Sequence, residues 1–366
     1  MKKVIVGMSG GVDSSVAAIL LKEQGYKVEG LFMYNWDSVL NNDFLGNPAL
    51  INNTCLQETD YQDALAVCNE IGIPLHRVNF VKEYWNHVFT YFLEELKRGR
   101  TPNPDIMCNK YIKFDSFIKE AKRLGANYIA TGHYARIKNG KLLKAIDINK
   151  DQTYFLSQLT KEQLENVLFP IGQLTKKEVR NLAHKHNLKI AQKKDSTGIC
   201  FIGERNFVNF LKNYLPNQPG EIINIETNQI LGNHIGLMYY TIGQRKGLNL
   251  GGSKTKLFVV GKNISKNILY VGDEDCQYLY SDSALIEDVN WINKPTKLKM
   301  TAKFRYRQKD INVTIKFLNN EIMVNFDTLV RAVTPGQACV FYDEIECLGG
   351  GFIKEVYLND KKLEYL

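Results

Sequence analysis

Two cysteines stand in settings suited to chemistry. Cys200 lies in KKDSTGICFIGER (193–205), between a polar turn and the apolar Phe201 and Ile202, with Lys193 and Lys194 upstream. Cys108 lies in GRTPNPDIMCNKYIKF (99–114), after a loop holding two prolines and Asp105. Pro102 and Pro104 fix φ and suppress helix ahead of Asp105, so a helix is expected to begin near Cys108. Its positive end, with Lys110 and Lys113, would favour thiolate there. A free cysteine is more often a small buried hydrophobe, and for each thiol taken alone that reading stays open. Two such thiols in a chain that also carries a glycine-rich loop, SGGVDSS (9–15), point to sulfur chemistry on an activated substrate.

The elements around that loop say what it binds. Lys3 to Met8 form a short apolar run, and the loop opens VAAILLKEQG, where Val16, Leu20 and Leu21 have helical spacing and Gly25 is a stop. Strand, glycine turn and helix together aim backbone N–H groups and a positive helix end at phosphate, and Ser9, Ser14 and Ser15 add hydroxyls. A second strand at Lys27–Met33 follows at βαβ distance, which implies a parallel α/β sheet with right-handed crossovers. The loop is neither GxxxxGK[ST] nor GxGxxG. Without the Walker lysine it suits cleavage of ATP between the α and β phosphates.

Other segments have two readings each. His133 in TGHYAR (131–136) is either a core histidine or part of an open loop near substrate. Asp151, in KDQTYFL (150–156), either caps a helix or contacts a ligand. Arg305, Tyr306 and Arg307 fall in a strand-like run, MTAKFRYRQ, whose interleaved basic and aromatic side chains suit either a solvated face or nucleic acid. After residue 206 the helical pattern fades and β-branched runs bounded by turns take over. From 281 onward alternation recurs, which reads as a small all-β barrel. The expected division is 1–205 for an α/β nucleotide-binding catalytic domain, 206–280 for a β-rich central domain and 281–366 for the barrel. The polar stretch NNDFLGNPALINNT (41–54) reads as a flexible surface insertion.

SGGVDSS resembles the pyrophosphate loop of the ATP-pyrophosphatase (PP-loop) superfamily, which adenylates a substrate oxygen and lets a nucleophile displace AMP. GMP synthetase and other nucleotide-activating ligases share that loop, so a GMP-synthetase-like enzyme is the competing reading. Longer strings discriminate: TPNPDIMCN, TGHYAR, KDQTYFL, KKDSTGICFIGER, YTIGQRKGL, KFRYRQ and VTPGQACVFY, in this order and across essentially the whole chain, resemble the tRNA-specific 2-thiouridylase family. Tyr34, in FMYNWD, stands where family members often carry lysine.

Carried onto this chain, the resemblance implies ATP contacts from Gly7, Met8, Ser9, Gly10, Gly11, Val12, Asp13 and Ser14, with Met33 at the adenine and Gly132 closing the site. Mg²⁺ would accompany the nucleotide. Cys200 would carry a persulfide, Cys108 would complete sulfur release, and Asp105 would act as general acid or base. Release would leave a Cys108–Cys200 disulfide for an external reductant to reopen. Contacts to tRNA would come from Asn103, Pro104, Asp105, His133, Lys150, Asp151, Gln152, Arg305, Tyr306, Arg307 and Gln337. The tRNAs implied are those for Lys, Glu and Gln, with a cysteine desulfurase or a sulfur-relay protein as donor.

Bulk properties agree with a soluble, multidomain chain of 366 residues with 44% hydrophobic and 23% charged residues. A net charge of +8 favours a polyanionic partner. No apolar run approaches a membrane span and no signal peptide opens the chain, so a cytoplasmic location without membrane attachment is expected. Seven cysteines without framework spacing argue against structural disulfides, and no CxxC supports a metal centre.

Overall fold

The computed structural model describes residues 1–47, 56–195, 198–203, 205–251 and 255–364. The amino-terminal sheet is built on β1 (Lys3–Met8), in which Val4 to Met8 are all buried. Alternation divides them between two cores: Ile5 packs with Leu31 and Phe117 on one face, while Val4, Val6 and Met8 pack with Val16 and Ala17 on the other. A strand covered on both faces needs such a continuous apolar run. Parallel neighbours are β2 (Lys27–Tyr34), β3 (Leu75–Asn79), β4 (Tyr128–Ala130) and, beyond a hairpin in the chain, β7 (Val167–Leu168). Their order is β3-β2-β1-β4-β7. Strand order reverses between β1 and β4, and the crevice at the carboxyl ends of those two strands is where open α/β sheets bind ligands.

The intervening hairpin, β5 (Ala135–Lys138) and β6 (Lys141–Lys144), leaves the parallel sheet and pairs with β17 (Glu346–Leu358). Residues assigned by sequence to the first domain thus extend the last one. Between them, β8 (Gly220–Asn224), β9 (Ile230–His234), β10 (Phe258–Asn263) and β11 (Ile268–Gly272) form a separate four-stranded sheet. The helical pattern does not end at 206: a short helix, Phe207–Lys212, follows, capped by the Asn206 side chain.

The barrel comprises β12 (Tyr280–Trp291), β13 (Lys299–Lys303), β14 (Ile311–Leu318), β15 (Glu321–Arg331), β16 (Ala338–Asp343) and β17. Their order is β12-β15-β14-β13-β16-β17, and pairing of β12 with β17 closes the ring. Val313 and Ile315 of β14 and Ile322, Val324 and Phe326 of β15 point inward at alternate positions, as the sequence pattern requires. Closure removes exposed strand edges.

The barrel also grips the segment that leads to Cys108. Thr101 N donates to Pro335 O (2.9 Å), and Gln337 Nε2 donates to Thr101 O (2.6 Å). Arg100 pairs with Glu287 of β12 (2.7 Å), and the buried Lys262 of β10 donates to Gly99 O (2.8 Å). Among the described residues, no helix is long and apolar enough to cross a membrane.

Candidate active site

The glycine loop sits at the end of β1 and starts the helix Val12–Glu23. Gly10 has φ +69°, and a Cβ there would lie 2.2 Å from Asp60 O, so only glycine fits. Ser14 Oγ donates to Gly11 O and accepts from Ser9 N, which fixes the turn. Across the crevice, Gly132 approaches so closely that a Cβ would meet Ser14 N at 2.7 Å. Met33 and Phe117 back Gly7. Gly7 to Ser14, Met33 and Gly132 therefore gather at one place, although nothing in their separate positions along the chain says so.

Charges surround this crevice, and of these Lys176, Arg180, Asp60 and Asp63 were missed by sequence reasoning. Asp13 accepts from Tyr134 OH (3.0 Å) and pairs with Lys176 (2.8 Å). Lys176 and Arg180, on the helix Lys176–Lys185, both reach Asp195 (2.7 and 3.0 Å), as does Lys150 (2.8 Å). These cations outweigh the cost of burial and hold the Asp195 carboxyl down at about 2. Lys193 reaches Gly10 O, Asp60 and Asp63 (3.1, 2.8 and 2.6 Å). The signal for Lys176 was present as TKKE, a capping box in which Thr175 and Glu178 cap each other's backbone.

The second centre is the thiol pair. Cys108 Sγ and Cys200 Sγ are 3.7 Å apart. The Cys200 loop is pinned from three directions: Cys200 N donates to Asp105 Oδ1 (3.1 Å), Tyr84 OH donates to Cys200 O (2.8 Å), and Gln57 Nε2 donates to Phe201 O (2.8 Å). Phe201 itself adopts φ +67°, a conformation uncommon outside glycine, held by these bonds and by the buried Ile202. Asn103 caps the turn Pro104–Met107 through Asp105 N, and a π-helix runs from Cys108 to Ser116. Burial raises Asp105, against the Cys200 N–H and Lys113, which lower it.

The helix-start argument assigned the depressed thiol to Cys108, and the structure reverses it. Cys108 lies past the capped turn and is fully buried, so desolvation, together with the hydrogen bond it donates, raises it well above the ordinary thiol range. Cys200 receives that bond and the charge of Lys113, which outweigh burial and lower it. The resting pair is a Cys108 thiol beside a Cys200 biased toward thiolate.

The residues expected at tRNA are spread more widely. His133 is buried between Phe114 and Phe169, accepts or donates through Nδ1 to Thr131 Oγ1 (2.7 Å), and is driven well below its usual pKa by burial. It is a core histidine in this conformation, not an open-loop residue. Asp151 is buried too, accepting from Ala145 N and Thr153 Oγ1; the short helix Thr153–Leu156 starts from Gln152 without a side-chain cap, so Asp151 braces the turn before it instead of capping it. Gln152 accepts from Tyr134 N (2.9 Å). Arg305 lies beyond β13 and donates to Ile242 O, Ala332 O and Thr334 Oγ1 (3.0, 2.6 and 3.1 Å), so it ties the central domain to the barrel. Tyr306 packs against Phe155 with the rings tilted (4.4 Å between centroids), while Arg307 is exposed. The insertion 41–54 is likewise not free where described: Asn41, Asp43 and Asn47 are buried, and Asp43 forms a buried ion pair with Arg205 (3.1 Å). Residues 48–54 lie outside the described residues.

Three family profiles cover the chain in series. Residues 2–204 match the tRNA methyl transferase HUP domain, 208–273 the tRNA methyl transferase PRC-barrel domain and 281–353 the aminomethyltransferase beta-barrel domain. A tRNA-specific 2-thiouridylase of Mycoplasmopsis synoviae is 56% identical over 100% of this chain and 99% of its own length. The corresponding protein of Mesoplasma florum is 57% identical over 96% of this chain and 98% of its own. The chain belongs to the tRNA-specific 2-thiouridylase family. A 2-thiouridylase from Metamycoplasma arthritidis, 57% identical over 100% of both chains, agrees. Among solved structures, a 4-thiouridine synthetase–RNA complex with bound ATP aligns at 16% identity over 56% of this chain and 46% of that one, with a TM-score of 0.34. The profiles speak of methyl transfer and the curated 2-thiouridylases of thiolation.

Proposed function

We propose that this chain thiolates C2 of the wobble uridine in tRNAs for Lys, Glu and Gln, adenylating O2 with ATP and delivering sulfur from a persulfide on Cys200. The observation that carries the reading is the 3.7 Å Cys108–Cys200 pair on a Cys200 loop held by hydrogen bonds from Asp105, Tyr84 and Gln57 partners.

The crevice fits the nucleotide. Gly10 and Gly132 leave space that any Cβ would fill, the loop offers backbone N–H groups at a helix start, and Lys176 and Lys193 stand beside it. Triphosphate arriving there would compete with Asp13 for Lys176 and with Asp60 and Asp63 for Lys193. A divalent cation accompanying the phosphates would find the Asp13 carboxylate next to the loop. Among the described residues, no cluster of three ligating side chains forms, so the phosphates themselves would supply most of its ligands.

Adenylation turns the uridine oxygen into a leaving group. The terminal sulfur of the Cys200 persulfide then attacks C2, a carbon–sulfur bond forms, and AMP departs with the carbon–oxygen electron pair. Asp105, acting as general base, takes the Cys108 proton, and the thiolate attacks Cys200 Sγ. The sulfur–sulfur bond to the base breaks, the base keeps its sulfur, and a Cys108–Cys200 disulfide remains for an external reductant. The 3.7 Å separation lets that bond form with little backbone movement. Sulfur would come from a cysteine desulfurase or a relay protein, in the cytoplasm. Residues 1–205, 206–280 and 281–366 would serve as catalytic domain, connecting domain and tRNA-contacting barrel.

The test is product analysis with tRNA, ATP and a persulfide donor. AMP, pyrophosphate and 2-thiouridine are expected, each dependent on tRNA. ADP as product, or AMP formation indifferent to tRNA and to both cysteines, would return the chain to the GMP-synthetase-like reading.

A further inference from the structure

Lys113 is half-buried beside the thiol pair, and the chemistry above gives it no task. Its ammonium lies over the ring of Phe201 (5.5 Å to the centroid), the residue after Cys200, whose sulfur is 3.7 Å from that of Cys108. Among the described residues it forms no ion pair with a carboxylate; Asp105, the nearest, already accepts from Cys200 N.

Backbone geometry puts it there. Lys113 is five residues after Cys108. In an α-helix the fifth residue is rotated by roughly 140° from the first, on nearly the opposite face. The segment Cys108–Ser116 is a π-helix, whose turn closes on the fifth residue. It therefore presents Cys108 and Lys113 to the same side, toward the Cys200 loop. Phe114, with φ −121° and ψ 17°, kinks the segment immediately afterward. A second π-helix, Trp85–Phe89, begins right after Tyr84, the residue that holds Cys200 O.

We propose that Lys113 is a positioning residue that pairs electrostatically with the sulfur on Cys200, first as thiolate and then as the terminal persulfide sulfur. As thiolate, Cys200 Sγ attacks the outer sulfur of the donor persulfide; a bond to Cys200 forms, the donor's sulfur–sulfur bond breaks, and the donor leaves as its own thiolate. No oxidant is consumed. As persulfide, the charge rests one atom further out, still within reach of a flexible four-carbon ammonium stem. Groups facing Lys113 are Cys108 and Asp105 from its own helical region, Cys200 from its loop and His133 from beyond β4. Burial opposes its charge, while the two thiols and Asp105 more than restore it, so the ammonium stays charged.

This inference deepens the thiolation reading but is tested without tRNA or ATP, so the two can fail separately. Alkylation of Cys200 by iodoacetamide is followed from pH 5 to 10 by peptide mass spectrometry in wild type, Lys113→Met and Lys113→Arg, with circular dichroism as a check on folding. Lys113→Met is expected to move the midpoint up by about one unit or more, roughly tenfold less thiolate at neutral pH, and Lys113→Arg to restore at least half of that shift. If Lys113→Met does not fold, Lys113→Gln takes its place with the same expectation. A midpoint that stays with wild type in the folded neutral variant, or an Arg variant displaced as far as the neutral one, overturns the proposal.

Discussion

The glycine-loop crevice and the thiol pair, the two regions proposed to be reactive, are held by opposite means. At the nucleotide crevice, ionised side chains face one another around a glycine turn: Asp13, Lys176 and Asp195 on one side, Lys193, Asp60 and Asp63 on the other. At the thiols there is one ammonium, two sulfurs and a carboxylate inside an apolar shell, with the backbone of the Cys200 loop fixed by hydrogen bonds. The crevice can exchange an internal carboxylate for a phosphate at small cost, because both are anions meeting the same lysines. The thiol site has no such slack, since a buried group that loses its partner bears the full desolvation penalty. Charge confers adaptability on the first region, and dryness confers proton control on the second.

The largest effect expected from breaking this contrast is at the crevice. Asp13→Ala should lower tRNA-dependent AMP formation by about 100-fold, on the order of 3 kcal/mol, while leaving the alkylation midpoint of Cys200 in place. Parallel loss of both would show that the regions are not separate. Arg305 and Arg307 sharpen the comparison at the barrel. Arg305→Ala removes the hydrogen bonds to Ile242 O and Ala332 O, the second of which still accepts from Thr334 Oγ1, and should cost about 2 kcal/mol in denaturant unfolding. Arg307→Ala should leave stability alone and reduce the slope of log affinity for tRNA against log salt by about one. Next comes Tyr84→Phe, which removes the hydroxyl that holds Cys200 O. A stability loss of about 1 kcal/mol is expected, with sulfur transfer slowed and AMP formation kept.

The smallest effect is in pH. Asp195 is held below its unfolded value, so its contribution is present above about pH 4 and is lost as pH falls toward its folded value of about 2. Because a third of the side chain is exposed, that contribution is discounted to about 1 kcal/mol. Between pH 5 and pH 3, urea unfolding should show wild type losing more stability than Asp195→Asn by about half of this contribution.

What was legible in the sequence follows the same contrast. The phosphate loop is local, so strand, glycine turn and helix could be read from one stretch of residues. The barrel strands carry their alternation along each segment, although their closure through β12 and β17 does not show in any one of them. The thiols were legible as two motifs. Their contact was not, nor were Tyr84 and Gln57, which sit far along the chain in helices with no distinguishing pattern. Lys113 was read as a neighbour of Cys108 alone, because its sequence position does not show the π-turn that also brings it to the Cys200 loop. His133, Asp151 and Arg305 look polar and available in sequence, yet each is satisfied by interior partners that only tertiary packing brings near.

The division of labour between Cys108 and Cys200 is tested most directly by radiolabelled sulfur. A labelled persulfide donor is offered to wild type, Cys108→Ala and Cys200→Ala in the presence of ATP and tRNA, and label is read first on protein and then on tRNA. Cys200→Ala, which should lose only about 1 kcal/mol of stability, is expected to take up no label and pass none on. Cys108→Ala should hold label on the protein without releasing it to tRNA, because the thiol 3.7 Å away that breaks the linkage is gone. Label reaching tRNA through Cys200→Ala at a rate near wild type would make that thiol packing and contradict the account.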